Sequence, residues 1–379
     1  MRPDSWTGRH DWKQSESIRA EKVRTYFHVP PAESFFIRDF LYGNNNTLQG
    51  VICEMEGYAR DIKLFSGTAN PKLAEAIARH MGMELGHVNV ERFPDGEIFV
   101  QYRDMLRTSD VFIIQPTCNP VNENIMELLI MLDAARRASA ARVTVVIPFF
   151  GYARQDRKDR PRVPITAKLV ANLLTTAGAN RVLTMDLHAQ QIQGFFDIPV
   201  DHLYAQPVML AYMRDYLKLN SESVIVAPDS GSVKLAHGYA DRLHCGFAVV
   251  AKRRVNATTV ESSHLVGDIK GRDCVICDDL TSTAGTLCAA ADLLKREGAK
   301  KVYAVVSHCL LTDAGYNRLK NSAIEELITT NSVPHEDREG CHVHTLCIAP
   351  LLAKAIQRIH DGDSVSCLFQ TDPPEDLLL

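Results

Sequence analysis

Four short segments concentrate the residues whose types and spacing suit them to chemistry. Asp278-Asp279-Leu280-Thr281-Ser282-Thr283-Ala284-Gly285-Thr286 follows an apolar run and precedes a stretch rich in Ala and Leu. Small and hydroxylated residues at a helix start leave backbone N–H groups free to cradle a phosphate at the positive end of the helix dipole. The two carboxylates then stand where sugar hydroxyls can be held. Between Arg154 and Arg162 lie five bases, Arg154, Arg157, Lys158, Arg160 and Arg162, against Asp156 and Asp159. Guanidinium forks of this kind suit polyphosphate oxygens. Asp186-Leu187-His188 and, further on, Asp229 offer a few O and N ligands, which suits Mg²⁺ carried on a polyphosphate better than a closed zinc cage. Lys252-Arg253-Arg254 leads into the polar stretch 256–263, read as a mobile flap whose cations close over a phosphoryl group in the transition state. Each segment also has a plainer reading: a helix cap with solvated aspartates, a solvated charged loop, a structural histidine, a basic turn.

The elements that must position these residues are legible from Asp61 onward, where β-branched runs alternate with longer amphipathic stretches. That alternation predicts an α/β fold. Strands are expected at 62–66, 111–115, 143–147, 181–185, 224–227, 247–251, 274–277 and 302–307. Helices are expected at 71–80, with Asn70 as cap and Pro71 at the first helical position, and at about 124–138, 165–177, 233–243, 286–297 and 351–360. Continuously apolar strands imply parallel sheets buried on both faces. The expected architecture is two doubly wound domains with mainly parallel sheets. In such sheets ligands gather at the carboxyl ends of the strands, where all four segments fall.

Composition narrows the field further. The 379 residues carry 42 Lys and Arg against 46 Asp and Glu, a formal charge of −4, which argues against general affinity for nucleic acid or acidic membranes. No apolar run approaches the roughly 20 residues of a membrane span. Ten cysteines are too sparse for a disulfide scaffold, and the one C-x-x-C, Cys274 and Cys277, lies in an apolar run that reads as two thiols of a buried strand. No G-x-x-x-x-G-K-[ST] and no G-x-G-x-x-G occurs, so neither nucleotide motif applies. Residues 1–60 show no reliable period and read as an appended arm, either docked through aromatics such as Tyr26 and Phe27 or a mobile tail. With no secretory h-region in view, the cytoplasm is the expected location.

In this order, the segments closely resemble the ribose-phosphate pyrophosphokinases, also called phosphoribosyl-pyrophosphate (PRPP) synthetases. The resemblance runs from about 61 to 369. Its most specific stretches are Tyr152-Ala153-Arg154-Gln155-Asp156, Asp186-Leu187-His188 and Gln191-Ile192-Gln193-Gly194-Phe195-Phe196-Asp197-Ile198-Pro199. It implies an N-terminal extension (1–60), two phosphoribosyltransferase-type domains, 61–205 with the ATP loop and 206–369 with the ribose 5-phosphate loop, and a tail (370–379). It implies conversion of ATP and ribose 5-phosphate to PRPP and AMP with Mg²⁺. ATP is assigned by resemblance to Phe93, Asp95 and Glu97, lent by a neighbouring subunit, and to Arg154, Gln155 and Asp159. The metal falls to His188 and Asp229, and catalysis to Lys252 and Arg254. Ribose 5-phosphate falls to Asp278, Asp279, Ser282, Thr283, Ala284, Gly285 and Thr286. A homo-oligomer is implied, a hexamer built from dimers, and a regulatory phosphate or ADP site at Arg107, Ser139, Arg142 and Arg162.

The departures from that family's pattern are Ser282 for a third aspartate, Ser232 where a Gly-Gly pair would include it, and Met105 for a small polar residue of the regulatory site. Ser282 donates and accepts hydrogen bonds but carries no charge, so a weaker hold on sugar or metal is expected. Two other functions compete. A catalytically silent regulatory subunit would keep the fold and lose activity, and a phosphoribosyltransferase consuming PRPP would share the 278–286 loop. Retention of His188, Asp229, Lys252, Arg254, Asp278 and Asp279 speaks against the first, and the 154–162 loop against the second.

Overall fold

Asn70 shows how local sequence sets local structure here. Its side chain accepts a hydrogen bond from the Leu73 N–H at 3.3 Å and so caps the first helix, a contact that contributes about 1 kcal/mol. Its amide also donates to the carbonyl of Asn331 at 2.9 Å, so the cap is tied to a distant part of the chain as well. The structure, a computed structural model, describes residues 61–256 and 259–369, without the side chains of 252–263 and 369. The 1–60 extension and the 370–379 tail lie outside the described residues.

The first half runs β1 (Ile62–Ser66), α1 (Pro71–His80), β2 (Val88–Arg92), β3 (Ile98–Tyr102), β4 (Asp110–Ile114), α2 (Val121–Arg137), β5 (Arg142–Ile147), α3 (Thr166–Ala177), β6 (Arg181–Met185) and β7 (Val200–Leu203). The second runs α4 (Gln206–Asp215), β8 (Val224–Ala227), α5 (Val233–Leu243), β9 (Gly246–Asn256), β10 (Thr259–Val266), β11 (Asp273–Thr281), α6 (Gly285–Arg296), β12 (Lys301–Cys309), α7 (Asp313–Lys320), β13 (Glu326–Thr330), β14 (Val343–Leu346) and α8 (Ala349–Asp361). One sheet has the parallel order β1-β4-β5-β6-β7. The other has the order β10-β9-β8-β11-β12-β13-β14, parallel throughout except for the antiparallel β9–β10 pair. The α/β class and the mainly parallel sheets are therefore as expected.

Every residue of β4 and of β8 is buried, as continuously apolar parallel strands require. One core cluster joins the two sheets, with Leu64, Leu183 and Met185 from the first, Ile225, Val275 and Ile328 from the second, and Leu352 and Ile356 of α8. Each fully buried Leu or Ile contributes roughly 1.5–3 kcal/mol of transfer free energy. Asp110, wholly buried at the start of β4, is paired with Arg142 and with His360, whose Nδ1 is 2.9 Å away. This ties the amino edge of the first sheet to the last helix.

Two elements differ from the expectation in ways that matter for the site. The stretch read as a flap is a β-ribbon: β9 continues through Lys252 and Arg254 to Asn256 and pairs with β10, which places Lys252 opposite Ser263 and Arg254 opposite Glu261. Residues 257 and 258 lie outside the described residues. The strand was hidden because this stretch of sequence has neither an apolar run nor a clear alternation. Likewise β11 runs on through Asp278 and Asp279 to Thr281, still paired with β12, so the two aspartates stand on a strand end rather than in a loop. Cys274 and Cys277 belong to clusters on opposite faces of that strand, as two buried thiols. Among the described residues no helix is long and apolar enough to cross a membrane.

Candidate active site

At the end of β6 the chain turns sharply at Asp186, whose φ of 39° is left-handed. Three contacts fix the turn. The Asp186 carboxylate accepts from the Ala205 N–H at 3.0 Å, and the Leu187 N–H donates to Nε2 of the buried His202 at 2.9 Å. On the other side, Nε2 of the buried His308, from β12, meets the Asp186 carbonyl at 3.1 Å. The next residue, His188, reaches to the second sheet: its Nδ1 is 2.5 Å from Asp279 Oδ2. Phe149, Phe150, Ala153, Leu187, Leu280 and His308 line the small cleft beneath this pair.

The electrostatics follow from this crowding. The hydrogen bond to Asp279 raises the His188 imidazole, against burial, and the nearby Asp156 and Asp278 add to the effect. Burial works to raise Asp279, but the hydrogen bond and charge of His188 outweigh it and hold the carboxyl below its ordinary value. Each shift favours the charged form of its group. Asp278 is different: burial, with Asp279 and Asp229 close by, pushes it up to about 7 against the pull of the Ser232 hydroxyl. Asp229 Oδ1 accepts from the N–H groups of Gly231 and Ser232 at 2.9 and 3.2 Å, which fixes that carboxylate at the start of α5. Three carboxylates and an imidazole in one rim form a cation-seeking, oxygen-rich set. Among the described residues no three His, Cys, Asp or Glu side chains are grouped so as to hold a metal ion by themselves. The donor set therefore fits a hard divalent cation held in good part by a ligand's own oxygens.

Two further loops reach the same rim. Asp156 accepts from Gln191 Nε2 at 2.9 Å, which fastens the basic loop after β5 to the turn after β6. That loop leaves its strand through Gly151, where a Cβ would meet the Thr117 carbonyl oxygen at 2.5 Å, too close for any larger residue without movement. Gln155 takes the Thr166 hydroxyl at 2.5 Å and so joins the loop to the start of α3, while Arg154 and Asp159 are exposed. After β11, Ala284 adopts a left-handed φ of 53° to start α6, a conformation unfavourable for a residue with a Cβ. Outside contacts hold the loop in place. The Ser282 carbonyl accepts from the Thr312 N–H at 3.0 Å, and the Thr283 carbonyl accepts from Arg318 at 2.9 Å.

Comparison with known proteins bears on what this rim does. The family model for the N-terminal domain of ribose phosphate pyrophosphokinase matches residues 62–178, and that for a phosphoribosyl synthetase-associated domain matches 256–370. The ribose-phosphate pyrophosphokinase of Clostridium perfringens is 49% identical over 318 residues, 83% of this chain and 100% of that protein. The chain belongs to the ribose-phosphate pyrophosphokinase family of enzymes. A chloroplastic ribose-phosphate pyrophosphokinase of Arabidopsis thaliana is 50% identical over 310 residues, 81% of this chain and 78% of that one. The crystal structure of phosphoribosylpyrophosphate synthetase from Mycobacterium smegmatis superposes with a TM-score of 0.76 at 41% identity, covering 80% of this chain and 100% of that one.

Within this family member, the residues singled out from sequence fall into three places. His188, Asp229, Asp278, Asp279 and the 282–286 loop share the rim, with His188 bonded to Asp279, the Asp279 N–H to Asp278, and Ser232 bridging Asp278 and Asp229. Phe93, Asp95 and Glu97 sit on the tip of the β2–β3 hairpin, where Phe93 N–H bonds the Glu97 carbonyl at 2.9 Å and Asp95 accepts from the Glu97 N–H at 3.3 Å. Phe93 is 50% exposed and rests edge-on against Phe99. Lys252 and Arg254 lie on β9, with their side chains outside the described residues.

Three of the four residues expected of a regulatory site lie at or before the starts of β4 and β5. Arg107 and Ser139 lie on adjoining turns before β4 and β5, joined by the Thr108 N–H to the Ser139 carbonyl at 3.0 Å. Arg142 is engaged by the buried Asp110 and by the Ile359 carbonyl at 3.0 Å. Arg162 follows β5 in the chain, ahead of α3. His308 and Ser232 carry geometry that the sequence did not show. His308 stands at the end of an apolar strand, and Ser232 is marked only as a departure from a Gly-Gly pair.

Proposed function

We propose that this chain transfers the β,γ-diphosphoryl group of ATP to the anomeric hydroxyl of ribose 5-phosphate, giving PRPP and AMP. The observation that carries this reading is the 2.5 Å contact between His188 and Asp279. It joins a rim with a basic, polyphosphate-suited loop on one sheet to a strand end with a sugar-phosphate-suited loop on the other. Two ligands bound to these loops would meet at that contact.

In the reaction, the C1 oxygen of the sugar attacks the β-phosphorus of ATP, a new C1–O–P link forms, and the bond from the β-phosphorus to the oxygen bridging it to the α-phosphorus breaks. AMP leaves with that oxygen, and the hydroxyl proton is lost to water. No nucleophile of the chain is required, so positioning and charge do the catalysis. The half spanning 61–205 takes the nucleotide, with Arg154, Gln155 and Asp159 on the phosphate side. The half spanning 206–369 takes the sugar phosphate. Asp278 and Asp279 hold its hydroxyls, and the N–H groups of Ser282, Thr283, Ala284, Gly285 and Thr286 cradle its phosphate at the start of α6. Lys252 and Arg254 stabilise charge on the transferred group from the β9–β10 ribbon. His188 and Asp229 would hold Mg²⁺ brought with the nucleotide, and there it would supply neutralising charge. Phe93, Asp95 and Glu97 serve the adenine of a neighbouring subunit in a homo-oligomer, which accounts for a half-exposed aromatic at a hairpin tip.

ATP labelled with ³²P at the β-phosphorus tests the transfer. The label is expected in the sugar product and absent from AMP. Label retained in a nucleoside diphosphate would mean simple γ-phosphoryl transfer and would overturn the reading.

A further inference from the structure

Ser232 sits at the start of α5, 6% exposed, between the carboxylates of two different strand ends. Its hydroxyl oxygen is 2.6 Å from Asp278 Oδ1 and 3.4 Å from Asp229 Oδ1. Its backbone N–H already donates to Asp229 at 3.2 Å. A hydroxyl has one proton to give, and the shorter, better contact takes it, so Ser232 donates to Asp278. Asp278 Oδ1 also accepts from the Asp279 N–H at 3.0 Å. Both donors therefore end on one oxygen and fix the rotation of the carboxylate.

We propose that Ser232 is a positioning residue for sugar binding: its hydroxyl clamps Oδ1 of Asp278 and presents Oδ2 to a hydroxyl of the sugar phosphate. The role rests on the ribose 5-phosphate assignment of the 278–286 loop. Without the clamp, Oδ1 keeps the Asp279 N–H but loses the shorter of its two bonds, and the sugar must complete the ordering of Asp278 on binding. Losing this hydrogen bond weakens sugar binding on the order of tenfold. The nucleotide, held on the other sheet, is unaffected.

The test measures ribose 5-phosphate binding by titration calorimetry, and turnover with both substrates, for the wild type, Ser232→Ala and Ser232→Thr. The Ala variant is expected to raise the ribose 5-phosphate Kd and KM at least about tenfold, with kcat and the ATP KM within about twofold. The Thr variant, which keeps the hydroxyl, recovers most of the loss. An Ala variant that binds the sugar like the wild type overturns the proposal. So does an equal loss for both substrates, or a Thr variant as weak as Ala at an unchanged melting temperature. Wild type that binds ribose 5-phosphate without turning over contradicts the proposed reaction alone, and the binding series still decides the clamp. Wild type that binds none overturns both.

Discussion

His308 Nε2 lies 3.1 Å from the carbonyl oxygen of Asp186, so the penultimate residue of β12 holds the turn that presents His188. Facing a carbonyl, Nε2 must donate, and Nδ1 lies 2.8 Å from the Ser332 hydroxyl oxygen. The imidazole is a strut between the two sheets. His308→Ala leaves a cavity and a partner without its donor, at an expected cost of about 2–4 kcal/mol in urea unfolding. Turnover should fall more than stability alone explains, because the His188 turn loses one of its three fixings. A variant with wild-type stability and kcat would show that the strut is idle.

The same region sets an acid limit. Burial, with help from His308, lowers His202 to about 4, and burial lowers His308 as well. An imidazole whose folded pKa lies below its unfolded value of about 6.5 is protonated first in the unfolded chain. Stability is therefore untouched above about pH 6.5 and falls as pH drops towards 4, by about 3 kcal/mol for His202 alone. Unfolding free energies at pH 7.5, 6 and 5 check this. His202→Gln should flatten the dependence, and an unchanged slope would remove His202 as its source.

Much of this was legible in the sequence, and the failures have physical reasons. Strands such as Val224–Ala227 announce themselves because burial on both faces demands unbroken apolar side chains. Asn70 and Pro71 mark a helix start by chemistry that needs no tertiary context. The β2–β3 hairpin and β10 have no such demand, since each lies partly in solvent, and their residues look like loop. Asp278 and Asp279 read as loop residues because charge argues against a strand, yet a strand end at a ligand-binding rim tolerates it. His308 gave no such signal, and Ser232 showed only as a departure from a Gly-Gly pair: what matters is what they touch, 122 and 46 residues away in the chain.

Breaking the central pair gives a direct catalytic prediction. Asp279→Asn removes the charge that His188 faces and one sugar ligand. We expect kcat/KM to fall by about a hundredfold or more, about 3 kcal/mol of transition-state stabilisation. The pair is partly exposed, so the melting temperature should barely move. Steady-state kinetics with both substrates decides, and a loss under fivefold would remove the pair from the catalytic machinery.

The β9 cations carry the largest expected effect. Lys252→Ala or Arg254→Ala should lower kcat by on the order of 10³ or more with the fold intact, as for other cations that meet transferring phosphoryl groups. Turnover within tenfold of wild type would sink the assignment of the β9–β10 ribbon to catalysis.

Sharing of sites between subunits is testable by mixing. If Phe93 serves a neighbour's nucleotide, Phe93→Ala and Lys252→Ala are each inactive, yet their co-refolded mixture regains sites with both residues intact. Random assortment in a shared-site oligomer restores about a quarter of wild-type activity. A mixture as inactive as its parts would place Phe93 in its own chain's site or none.

The central claim is diphosphoryl transfer at the rim where His188 meets Asp279, and ³¹P NMR of the full chain with ATP, Mg²⁺ and ribose 5-phosphate reads it directly. The account predicts PRPP and AMP appearing in equal amounts, with no ADP. Intact binding of both substrates without any PRPP would contradict it, and would mark the chain as the catalytically silent partner of an active enzyme.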